Sequence, residues 1–192
     1  MDDSQEHNLG ALVTQWYKKN GRQNLPWRKS VTPYKVWISE MMLQQTQVVT
    51  AKSYYNKFLR KYPSLSSMKM ATEDDILSLW SGLGYYRRAS FIYQAKEKIF
   101  LDFNGRFPAT YDELITLPGI GRSTAGAILS IAYQKPFPIL DANVKRVIAR
   151  LFLQQEFKEG LFWNLSAQCL DEDDPYSYQQ GIMDIGATLC TP

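Results

Sequence analysis

The chain is punctuated for helices along almost its whole length. Leu9, Leu12, Val13, Trp16 and Tyr17 recur at three- and four-residue spacing, and Asn20-Gly21 stops the pattern. Thr32-Pro33 opens a second helix running towards Gln47, with proline in the first turn, where its missing N–H costs nothing. Thr72-Glu73-Asp74-Asp75 and Thr110-Tyr111-Asp112-Glu113 have the form of capping boxes ahead of apolar runs. Residues 88–102 read as a further helix closed by Asn104-Gly105, and others begin near Gly121, Asp141, Glu159 and Pro175. No series of alternating runs with hairpin turns accompanies them, so the expected class is all-α. The acidic stretch LDEDDP (170–175) reads as a solvated loop.

The 192 residues suit one large domain or two small lobes, and 45% apolar content supports a core. Five Trp and twelve Tyr leave rings to spare for stacking or wedging. The opening residues, MDDSQEHNLG, are polar, and no apolar run approaches membrane length, so neither a secretory signal nor a membrane partner is expected. Two cysteines, Cys169 and Cys190, offer no disulfide framework, which suits a reducing, cytoplasmic setting. A net charge of +3 permits a polyanionic partner without demanding one.

Residues 117–129 read LPGIGRSTAGAIL. A glycine-rich turn feeding a helix aims backbone N–H groups outward at the positive end of the helix dipole, where an anion can sit. The same glycines also serve a tight helix–helix connection in which they only permit close packing. On the turn alone, both readings stand.

Two carboxylates admit a chemical reading beside a purely structural one. In PYKVWISEMMLQQTQ (33–47), Tyr34, Trp37, Ile38, Met41, Met42 and Gln45 gather on one side. Glu40 falls beside Val36, Leu43 and Gln47 on a second, partly apolar face. Desolvation there raises a carboxyl pKa and keeps a proton available, although an exposed or snorkelling glutamate has the same periodicity. In PILDANVKRVIARLF (138–152), Asp141 precedes an apolar-periodic helix as an N-cap, with Lys145 and Arg146 on its first turns. A capping carboxylate that stays ionised can also face a substrate.

LPW (25–27), SEMMLQQT (39–46), WSGLGYYRRA (80–89), LPGIGRSTAGAIL, ILDANVKRV (139–147) and MDIGATLC (183–190) follow one another in order. Together they resemble the MutY family of adenine glycosylases among the helix–hairpin–helix DNA glycosylases, over nearly the whole chain, as a truncated catalytic portion. In the lyase relatives, of which endonuclease III is one, a Schiff-base lysine follows the Gly-X-Gly-Arg; here that position is Ser123.

The resemblance implies two helical lobes. A six-helix lobe covers 27–135 and carries the hairpin; a second covers 1–26 plus 136–192. It implies a monomer acting on duplex DNA that holds adenine opposite 8-oxoguanine or guanine. Glu40 would protonate the leaving base, Asp141 would stabilise the cationic sugar, and Asn143 would orient sugar and water. Gln45 and Tyr85 would fill the gap left by the flipped base, although a core position is the commoner fate of such a tyrosine. Trp27, Arg28, Leu43, Thr46 and Gln180 would complete the substrate contacts. Leu117, Gly119, Gly121, Ser123 and Lys145 would hold DNA phosphate. Cys190 matches the first ligand of the family's 4Fe–4S cluster. The other three are missing, so the chain is expected to be iron-free and loosely held around Cys190, with Cys169 filling core space. Ala142, where the family has glycine, is a small departure.

Overall fold

Side-chain caps decide where most of the helices begin. The structure, a computed structural model, describes residues 3–192, with side chains from residue 9 onward. Among the described residues there are ten α-helices, two short 3-10 turns and no strand, so the all-α expectation holds. The helices are α1 (Asp3–Asn20), α2 (Pro33–Leu43), α3 (Val48–Lys61), α4 (Glu73–Trp80), α5 (Arg87–Asp102), α6 (Tyr111–Leu114), α7 (Arg122–Ala132), α8 (Ala142–Leu151), α9 (Glu159–Gln168) and α10 (Pro175–Thr188). The chain divides into two compact units, Asn24–Ala125 on one side and Met1–Gln23 with Gly126–Pro192 on the other.

In the unit Asn24–Ala125, α2 is the central element, packing against α3, α5 and the turn Pro26–Arg28. Trp37, Ile38, Met41 and Met42 are fully buried, and Val36 and Tyr34 nearly so. Thr32 caps α2 by accepting from the Lys35 N–H at 3.2 Å. Thr72 and Asp75 form a complete capping box at the start of α4, as the sequence indicates. Thr110 caps α6, which is a single turn.

The helix expected to reach Gln47 stops at Leu43 instead. Gln45 takes a left-handed conformation (φ +54°), and Gln47 becomes the N-cap of α3, a helix with no side-chain cap bond. The cause is a distant residue. The guanidinium of Arg88, in α5, donates to the carbonyls of Met41 and Met42 at 2.9 Å each and to that of Gln44. A cation suits the carbonyl end of a helix, and here it takes the place of the next turn.

In the other unit, α10 packs on both α1 and α8, and α8 also meets α9. Asp184, fully buried in α10, accepts from the backbone N–H and the Nε of Arg22, both at 2.8 Å, just past the end of α1. The acidic loop 170–175 is not simply solvated. Asp171 accepts from the Thr14 hydroxyl at 2.7 Å and from the N–H groups of Asp173 and Asp174. Asp174 caps α10 through the Ser177 N–H at 3.1 Å and pairs with Lys18 at 2.7 Å. These acids fasten α1 to the start of α10.

The end of α10 also differs from expectation. The Cys190 N–H donates to the Ile185 carbonyl at 2.8 Å, and its own carbonyl accepts from Arg146 Nε at 2.6 Å. Arg150 donates to Cys190 Sγ at 3.2 Å and to the Thr191 carbonyl at 2.7 Å. Two arginines of α8 therefore tie down a segment expected to be loose.

Candidate functional site

The hairpin between α6 and α7 separates its two glycines by function. Gly119 is left-handed (φ +78°), and a Cβ there would lie 2.8 Å from Phe91 Cβ and 2.9 Å from Met41 Cε. It is glycine because the turn is seated tightly on α5 and α2. Gly121 has no left-handed requirement, and a Cβ on it would meet nothing within 4 Å. Packing therefore accounts for Gly119 but not for Gly121, which leaves open space at the start of α7, the positive end of that helix. Leu117 is buried at 2% exposure, so only its backbone can face a ligand. Ser123 is half-buried at the second position of α7.

Glu40 lies in the last turn of α2, half-buried between the buried Ser39 and Met41. Trp27 is buried in the turn Pro26–Arg28, its ring 5.5 Å from that of Tyr55 and nearly perpendicular to it; Arg28 beside it is half-buried. Leu43 ends α2 and is half-buried.

Gln45 and Tyr85 share an unusual geometry. Both are exposed and left-handed, with φ of +54° and +49°. Tyr85 is 60% exposed, so the core position common for such a tyrosine does not apply. Non-glycine residues in this region are sparse and mark turns held by their surroundings. The holder is again Arg88, which reaches the Thr46 hydroxyl and the Gly84 carbonyl at 3.1 Å each and the Tyr85 carbonyl at 3.4 Å. Sequence reasoning assigned Arg88 no role. Its only local signal is a second arginine after Tyr-Tyr, and its partners lie up to 47 residues away.

In the other unit, Asp141 is the N-cap of α8, accepting from the Val144 N–H at 2.7 Å. Burial pushes its carboxyl pKa up, against the opposing pull of the Val144 and Asn143 backbone bonds and the charges of Arg146 and Lys145. The expectation of a plainly ionised cap thus gives way to a carboxylate under desolvation. Asn143 is the second residue of α8, and its Oδ1 accepts from Arg146 at 2.9 Å, which leaves its amide N–H groups as donors. The same Arg146 nitrogen donates to the Gly186 carbonyl. Lys145 places its ammonium 4.1 Å from the centre of the Phe157 ring. Gln180 is 3% exposed within α10.

A four-iron cluster needs four thiolates. Cys169 is buried at the C-terminal cap of α9, and Cys190 follows α10. Among the described residues no group of three or more His, Cys, Asp or Glu side chains is arranged to hold a metal, so the residues present do not fit such a cluster. No described helix is long and apolar enough to cross a membrane.

The sequence is 49% identical over 189 residues to an adenine DNA glycosylase of Buchnera aphidicola subsp. Schizaphis graminum, covering 96% of this chain and 54% of the relative. The chain spans about half the length of this and other curated Buchnera relatives it matches. Among solved structures, a thermostable thymine-DNA glycosylase superposes with a TM-score of 0.87 at 24% identity, covering 98% of this chain and 89% of that one. A non-covalent endonuclease III–DNA complex gives 0.82 at 18% identity, covering 100% and 88%. Both likenesses establish the helix–hairpin–helix glycosylase fold. The family model described as HhH-GPD superfamily base excision DNA repair protein matches residues 38–161, which take in the second half of α2, the hairpin and the cap of α8, and the chain belongs to that superfamily.

Proposed function

We propose that this chain is the glycosylase portion of an adenine DNA glycosylase. It binds duplex DNA, turns out an adenine that lies opposite 8-oxoguanine or guanine, and hydrolyses the bond joining that base to its sugar. The observation that carries the reading is Asp141, a desolvated carboxylate fixed at a helix start, in a chain 49% identical to a relative named adenine DNA glycosylase. The open space at Gly121 supports a phosphate at the hairpin.

Adenine leaves poorly as an anion. Glu40 gives its proton to N7 as the C1′–N9 bond breaks, so that adenine departs neutral. The sugar is left with positive charge, and the Asp141 carboxylate stabilises it electrostatically. Asn143, its amide oxygen held by Arg146, presents N–H donors to sugar or water. Water adds its oxygen to C1′, and its spare proton passes to a carboxylate. The division into an acid and a charge-stabilising carboxylate is that of glycoside hydrolysis. Ser123 carries no amine, so no Schiff base forms there. Extrusion costs a few kcal/mol, which Gln45 and Tyr85 offset by filling the vacated stack.

Free adenine measured by chromatography tests the proposal. Release from A:8-oxoguanine and A:G duplexes, with none from A:T, is the expected result. Equal release from all three, or none from any, contradicts it.

A further inference from the structure

Arg88 is 6% exposed, and burial lowers its pKa. A buried guanidinium is ordinarily matched by a carboxylate, because desolvating an unpaired charge is costly. Among the described residues Arg88 has no such partner. Its donors go to the carbonyls of Met41, Met42 and Gln44, the Thr46 hydroxyl, and the carbonyls of Gly84 and Tyr85. The guanidinium also sits 5.3 Å from the Trp80 ring centre and 5.5 Å from that of Tyr85. Two segments some forty residues apart in sequence therefore end on one planar fork. Each holds an exposed residue with a left-handed backbone, Gln45 in one and Tyr85 in the other. A lysine could supply charge to the end of α2, but its three donors on a single nitrogen cannot span both turns.

We propose that Arg88 is a positioning residue that locks the Gln45 and Tyr85 turns to each other, so that the two side chains enter the duplex as one rigid wedge. This rests on the base-extruding activity proposed above, with Arg88 acting through Gln45 and Tyr85 and touching no substrate itself. Preorganisation of this kind moves the cost of ordering two loops from the extrusion step to folding.

The test uses the 192-residue chain, its Arg88→Met, Arg88→Lys and Thr46→Val variants, and a duplex with 2-aminopurine opposite guanine, whose fluorescence rises when the base leaves the stack. Arg88→Met should cut the fluorescence gain at saturating protein at least fivefold, while affinity for the same duplex stays within threefold. In the DNA-free protein, hydrogen exchange should rise at least tenfold in both 42–47 and 82–87 together in Arg88→Lys, and less, but again in both, in Thr46→Val. Those two variants decide the matter if Arg88→Met does not fold. Exchange that rises in one segment alone or in neither overturns the lock, as does an extrusion signal that falls only in proportion to affinity. Wild-type protein that binds the duplex without any gain contradicts both the lock and the proposed activity. Wild-type protein that extrudes 2-aminopurine from this duplex yet releases no adenine from an A:G duplex contradicts the activity alone.

Discussion

Arg146 holds Asn143 by its amide oxygen at 2.9 Å while its Nε is bonded to the Cys190 carbonyl at 2.6 Å. One side chain of α8 thus fixes a candidate sugar-orienting group and the end of α10 at once. Arg146→Lys keeps the charge and loses the fork. Adenine release in single turnover should fall roughly 10- to 100-fold, the scale of a small misplacement near the chemistry. DNA affinity should change little. An unchanged rate in a folded variant would remove Asn143 from the mechanism.

Glu40→Gln keeps the shape of the side chain and removes its proton. The release rate should fall by about 10²- to 10⁴-fold, the range for a lost general acid. Binding to the same duplex, measured by gel shift, should stay within a few fold. A wild-type rate would assign proton donation elsewhere.

Asp141 gives a pH-dependent prediction for stability as well as for rate. Burial raises its folded pKa above the ordinary value of 3.8, so the fold holds this proton more tightly than the unfolded chain does. Its contribution to stability is greatest below 3.8 and is lost as pH rises through the higher folded value. Asp141→Asn removes the titration and retains a good N-cap. The melting temperature of the variant should therefore gain on wild type as pH rises from about 4 and then level off. Its release rate should be lower by about 10²- to 10³-fold at neutral pH, since the charge facing the sugar is gone. A melting difference independent of pH would contradict the desolvated carboxylate.

The two hairpin glycines should separate in mutation. Gly119→Ala meets Phe91 and Met41 in a left-handed backbone and should cost at least about 1 kcal/mol of stability. Gly121→Ala meets nothing within the protein and should leave the melting temperature unchanged or slightly raised. It should nevertheless weaken duplex binding and flatten its salt dependence, because the methyl group fills space meant for a phosphate. Full binding by Gly121→Ala would leave the turn as packing alone.

What the sequence disclosed were features whose partners are near in the chain. Thr72, Thr110 and Asp141 each bond a backbone N–H three residues on, so their helices could be placed by inspection. The start of α3 has no side-chain cap bond, and that helix was missed. The stop after Leu43 was hidden for a different reason, since it depends on Arg88 more than forty residues away. The acidic loop 170–175 and the end near Cys190 were misread in the same way, because Thr14, Lys18, Arg146 and Arg150 reach them only after folding. The candidate residues themselves came from motif strings. Their supports, Arg88 and Arg146, are contacts that no local pattern announces.

The central claim is hydrolysis without strand scission. It is tested by splitting one reaction on an A:8-oxoguanine duplex into three portions: one left untreated, one heated in alkali, and one reduced with borohydride. The adenine-bearing strand should be intact in the first and cut at the adenine position in the second. The third should hold no more protein–DNA adduct than a Lys145→Ala control, because position 123 is serine. Strand cleavage before alkali, or efficient trapping that survives Lys145→Ala, would show that an amine attacks the sugar and would contradict the account.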